Sequence, residues 1–157
     1  MRRDYLQGAV ASDSPLATSI KNVYGAYPAA GMNRWEREFG QFLDGDDSGT
    51  VLWWHRNLPR KPWSVNVLME SGSGFFPDFI VGIKDRKRAD NAILSDTKYA
   101  WDTSAEFPKL LADHVTYGKV LILTKPPGQQ GWHVVGVDAS GRAHVERRFR
   151  LAEAARC

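Results

Sequence analysis

Two acids and a lysine stand where hydrophobic strands rarely carry charge. Phe76-Pro77-Asp78-Phe79-Ile80-Val81 sets Asp78 at the head of one apolar run, and Ile93-Leu94-Ser95-Asp96-Thr97-Lys98 sets Asp96 and Lys98 in another. Side chains alternate along a strand, so Asp96 and Lys98 share a face, ~7 Å apart along the backbone. If the charged turn from Lys84 to Asn91 folds the two runs together, Asp78 lies beside Asp96. Two adjacent carboxylates repel, and a bound divalent cation relieves the repulsion. Hard oxygen ligands select Mg²⁺, with Mn²⁺ as a substitute. Such an ion acidifies a water and stabilises charge on a scissile phosphate. A neighbouring lysine orients or deprotonates that water, or neutralises the developing charge.

These residues need a scaffold. Asn33 is a predicted N-cap, and Trp35, Phe39, Phe42 and Leu43 recur at helical spacing, so an amphipathic helix is expected over Asn33 to Leu43. Strands are expected at Thr50 to Arg56, Ser64 to Met69, Phe75 to Ile83 and Ala92 to Tyr99. A helix follows over Thr103 to Val115, starting near Phe107 if Pro108 occupies its first turn. Lys119 to Thr124 is a short apolar strand of the kind buried on both faces. Trp132 to Val137 and Ala143 to Phe149 form a closing hairpin. This order predicts an α/β fold with a central sheet. Residues 1–31 are punctuated by glycine, serine and proline and read as an arm or linker with a short helix around Thr18 to Tyr24. Residues 32–157 form the expected domain.

In this context the chain resembles the PD-(D/E)xK nuclease superfamily. Pro77-Asp78, seventeen intervening residues and Asp96-Thr97-Lys98 match its signature. The helix carrying Trp35-Glu36-Arg37-Glu38-Phe39, followed by Val51-Leu52-Trp53-Trp54-His55-Arg56-Asn57, is similar to the nuclease domain at the C-terminal end of type III restriction and related helicase-nuclease subunits. The likeness spans roughly residues 24 to 125. It implies a restriction-endonuclease-like core, with a mixed sheet flanked by helices in the order α-β-β-β-β-α-β, followed here by the hairpin. It implies Mg-dependent hydrolysis of DNA phosphodiester bonds, alongside a helicase or specificity subunit. Asp78, Asp96 and the Thr97 carbonyl match metal ligands, Lys98 the catalytic lysine, and Glu36 the helix glutamate that completes the site. Periodicity leaves Glu36 and Glu38 nearly tied, on opposite edges of the apolar stripe; the resemblance selects Glu36. The family more often has Glu where Asp96 stands. The phosphate-binding G-x-x-x-x-G-K-[ST] run of a helicase engine is absent from this sequence.

Basic residues beside aromatics suit a nucleic-acid backbone. Arg56, Asn57, Arg60 and Lys61 lie near Trp53, Trp54 and Trp63, and Lys84, Arg86, Lys87 and Arg88 form a second group. The alternative is a catalytically silent nucleic-acid-binding module on the same fold. Asp44-x-Asp46-x-Ser48-Gly49 has the start of a calcium loop, but His55 stands where its closing glutamate belongs, so an acidic turn is expected. The 157 residues suffice for one domain, and the net charge of +3 permits a polyanionic partner without requiring one. The one cysteine, Cys157, excludes a disulfide framework. With no long apolar run and no signal-peptide pattern, the expected compartment is the cytoplasm, away from the membrane.

Overall fold

The computed structural model describes residues 16–86, 91–99 and 107–156. Within them the chain is mixed α/β, with few helices and a central mixed sheet of six strands. The first helix, α1 (Arg34–Asp44), starts where the sequence predicts, with Asn33 as its N-cap. Asn33 Oδ1 accepts from the Glu36 N–H at 2.9 Å and the Asn33 N–H donates to Glu36 Oε2 at 3.1 Å, so the two form a capping box. Phe39 and Leu43 are buried against the sheet, with Trp35 and Phe42 half-buried beside them. A Cβ on Gly40 would stand 3.4 Å from the ring of fully buried Trp54, so a small residue lets the helix approach the sheet this closely.

The sheet is built from two antiparallel sets. The first contains β3 (Val51–Arg56), β6 (Phe79–Ile83) and β7 (Ala92–Thr97). Here β6 pairs antiparallel with both neighbours, and Phe79 faces Arg56 on one side and Ser95 on the other. The second set is the meander of β10 (Leu121–Thr124), β11 (His133–Val137) and β12 (Ala143–Arg148). The two sets meet where β7 and β10 run parallel, with Ile122 opposite Asp96. Every residue of β7 and of β10 is buried, as expected of strands covered on both faces.

Several sequence expectations need correction. The run Phe75 to Ile83 is two strands, because Pro77 has no N–H for the ladder: β5 (Gly74–Phe75) ends before it and β6 begins after it. The expected strand Ser64 to Met69 shortens to β4 (Val67–Leu68), which pairs only with β5, outside the main sheet. The helix expected over Thr103 to Val115 is a single turn, α2 (Phe107–Leu110), where described. It gives way to a small hairpin of β8 (Asp113–His114) and β9 (Gly118–Lys119), with Gly118 in the left-handed region at φ +79°. No helix forms around Thr18 to Tyr24; β1 (Leu16–Thr18) and β2 (Ala26–Pro28) make a hairpin there instead. Its loop covers the open edge of β3, with Trp54 N–H donating to Lys21 O and Val23 N–H to Trp54 O. Tyr27, on β2, is buried in the main core.

The acidic turn after α1 is a fastening. Asp44 Oδ1 accepts from Ser19 Oγ at 2.7 Å and from the Trp54 indole N–H at 2.8 Å. Lys21 pairs with Asp46 at 3.1 Å. A last helical turn, α3 (Leu151–Ala154), closes over the core. Among the described residues no helix is long and apolar enough to cross a membrane.

Candidate active site

Asp78 and Asp96 meet where β6 begins and β7 ends. The Asp78 N–H donates to Asp96 Oδ1 at 3.2 Å. The Asp78 carboxylate accepts, through Oδ2, the Thr97 N–H at 3.0 Å and the Thr97 hydroxyl at 3.1 Å. Lys98 Nζ stands 3.0 Å from Asp96 Oδ2. The strand alternation therefore puts Asp96 and Lys98 on one face, and the antiparallel pairing of β6 with β7 sets Asp78 against Asp96, as expected.

Electrostatics mark this cluster. Burial first, and the facing Asp78 charge second, push the Asp96 carboxyl well above the usual carboxylate range, with Lys98 offsetting part of the rise. Asp96 is 1% exposed, so water screens little of the repulsion. Glu36 also titrates high, raised by burial and then by Asp78, and lowered by Arg56, its backbone contact with Asn33, and Lys98.

The helix glutamate is engaged by its own helix. Glu36 accepts from both the backbone and the side chain of Asn33, and Arg56 Nη2 lies 3.5 Å away. Glu38 points to different partners, the Lys125 ammonium first and Arg34 Nε at 2.7 Å second, which hold its carboxyl below the usual range. Among the described residues, no three His, Cys, Asp or Glu side chains form a group able to hold a metal. The pair Asp78 and Asp96 does fit a Mg²⁺ ion, which binds through one or two carboxylates and keeps waters on its other positions. Its charge would relieve the repulsion that raises Asp96.

The expected nucleic-acid residues divide. Arg56 directs its guanidinium at the carbonyls of Ala30 and Gly31, at 3.4 and 3.1 Å. Asn57 is buried; its amide donates to Val65 O at 2.8 Å and Pro77 O at 2.9 Å, and its Oδ1 accepts from Val65 N–H at 2.9 Å. Arg86 is 2% exposed and donates to the carbonyls of Ala92 and Tyr117. Those three hold backbone, which corrects the expectation that they face a ligand. Arg60, Lys61 and Lys84 are exposed. Lys84 follows the far end of β6, some six residues from Asp78, or ~20 Å along a strand. Lys87 and Arg88 lie outside the described residues.

Sequence reasoning missed the bracing role of Asn57. Its backbone N–H also donates to Asp78 O at 2.8 Å, so one residue grips both halves of Pro77-Asp78. An amide just beyond a strand, beside a proline-broken neighbour, was the available signal. No protein family, curated protein or solved structure matches the chain.

Proposed function

We propose that this protein is a metal-dependent nuclease of the PD-(D/E)xK type, hydrolysing DNA phosphodiester bonds. The observation that carries the reading is the contact between Asp78 and Asp96 at the ends of adjacent antiparallel strands, with the Lys98 ammonium 3.0 Å from Asp96. Support for a restriction-endonuclease-like core comes from a helix, three antiparallel strands and a parallel fourth, in that chain order.

In this reading Asp78 and Asp96, with the Thr97 carbonyl, hold Mg²⁺. The ion supplies an acidified water and neutralises charge on the phosphate. Thr97 N–H and hydroxyl fix the orientation of the Asp78 carboxylate, which sets its free lone pairs before anything binds. Lys98 Nζ, tethered by Asp96, presents its N–H groups to the attacking water and to charge building on the phosphate oxygens. Glu36 lends negative potential near Asp78 and positions water. Movement along DNA and sequence selection belong to a helicase or specificity partner.

A catalytically silent DNA-binding module is the second reading. It is favoured by the capping box that occupies Glu36 and by the lack of a three-acid metal group among the described residues. Cleavage of single-stranded, linear duplex and supercoiled DNA in Mg²⁺ or Mn²⁺ separates the two. The nuclease reading expects chelator, Asp78→Ala and Asp96→Ala each to abolish cutting, and Lys98→Ala to slow it on the order of 100-fold while fold and metal binding persist. Undiminished cleavage in excess chelator or by Asp78→Ala would refute the metal mechanism, and a preparation that binds DNA without cutting it supports the silent module.

A further inference from the structure

Immediately beside the acid pair lies a cleft of ≈ 320 Å³ lined by Asn33, Arg34, Trp35, Thr97 and Tyr99. Thr97 belongs to both places: its N–H and hydroxyl hold Asp78, and it forms part of the cleft wall. Tyr99 directly follows Lys98 and is 84% exposed. Its ring meets Trp35 edge to face, at 5.5 Å and 72°. Trp35 in turn packs at 5.8 Å and 86° against Trp132, which is 3% exposed, so the inner wall is anchored in the core. Arg34 lines the cleft with its side chain 82% exposed, its Nε on Glu38 at 2.7 Å and its guanidinium open to solvent.

An aromatic ring left this open forgoes the gain its burial would bring. Here it belongs to the residue after the lysine of the acid pair, in contact with an anchored indole and sharing its cleft with Arg34. Flat faces with an adjacent cation are what a nucleobase and its phosphate require. The volume is at the small end for ligand clefts, suited to one nucleoside and not to a stacked helix. A base still paired in a duplex cannot enter it without leaving its stack.

We infer that the cleft is a stacking shelf for an unpaired base flanking the phosphate held at Lys98, so that the enzyme acts on single-stranded or frayed nucleic acid. The inference rests on the nuclease reading and adds the form of its substrate. Tyr99 supplies the open face, Trp35 the fixed wall, and Arg34 the cation for the neighbouring phosphate.

The test is equilibrium binding of fluorescein-labelled, phosphorothioate-linked oligothymidylate and of a blunt duplex of equal length, in Mg²⁺ and in the cold. Tyr99 is exposed, so its substitution spares the fold. Tyr99→Ala is expected to weaken oligothymidylate binding on the order of 10-fold, to leave duplex binding within about 2-fold, and Tyr99→Phe to retain wild-type affinity. Single-strand affinity untouched by Tyr99→Ala, or an equal loss on both polymers, would overturn the shelf while leaving the nuclease reading standing. Wild-type protein that binds neither polymer would overturn the nuclease reading and the shelf with it.

Discussion

A carboxylate buried beside another carboxylate is held against its own electrostatics, and Asp96 is such a group. Its folded pKa lies above its unfolded one, so the fold favours the protonated form. The corresponding stability is present at low pH and is lost as pH rises through the folded value. Metal-free protein should therefore be stabilised by Asp96→Asn at neutral and alkaline pH, with the gain shrinking as pH falls and Asp96 itself becomes neutral. Thermal denaturation of both proteins in chelator across this range checks the sign, and a gain that grows toward acid would contradict it. Asp78, Asp96 and Lys98 were legible because strand alternation needs only residue order. Glu36 was half legible: an N-cap asparagine followed three residues later by glutamate is the capping-box pattern, and it accounts for Glu36 without any ligand. Arg56 and Arg86 were misread, because counting charges does not reveal a guanidinium that folds back onto backbone carbonyls.

At the level of elements, the acids depend on how a broken strand is held. Pro77 separates β5 from β6, so Asp78 lies outside either strand. Asn57, just past the end of β3, takes over with its side-chain bonds to Pro77 and Val65 and its N–H to Asp78 O. Removing the amide strands buried polar groups, each costing about 1–3 kcal/mol. We expect Asn57→Ala to cost about 3 kcal/mol in chemical denaturation. On the proposed nuclease function it should also lower the DNA cleavage rate under conditions where the variant is fully folded. Wild-type stability would show that the amide is replaceable, and a wild-type rate that Asp78 is fixed by Thr97 alone. The strands and α1 were readable from periodicity. The small hairpins were not: two-residue strands carry no period, and the β1–β2 hairpin is fixed by long-range bonds to Asp44 and Trp54. The helix start at Phe107 was legible from Pro108, and its stop after one turn was not.

For the molecule as a whole, charge and topology set the scale of any DNA contact. With Arg56 and Arg86 turned inward and Lys84 a strand's length away, Arg60 and Lys61 remain the exposed cations of the expected groups at the Asp78 end of β6. With Lys98 and Arg34 at the proposed shelf, about four phosphate contacts give a slope of roughly −3 to −4 in log affinity against log salt. Titration at several salt concentrations should return a value of that order. Arg60→Ala should flatten it and Lys84→Ala should leave it unchanged. A steep slope insensitive to Arg60 would place the contacts elsewhere.

The parallel seam between β7 and β10 has a consequence for the newborn chain. A ribosome delivers Asp78, Asp96 and Lys98 well before Leu121 to Thr124, and domains fold only as their segments emerge. Until β10 arrives, Asp96 has no Ile122 opposite it and remains wet, so the two acids are an ordinary pair of surface charges. The arrival of β10 encloses them. A chain that stops short of β10 carries Asp78, Asp96 and Lys98 and none of their electrostatics, so any reactivity the acids possess is withheld until β10 has been made.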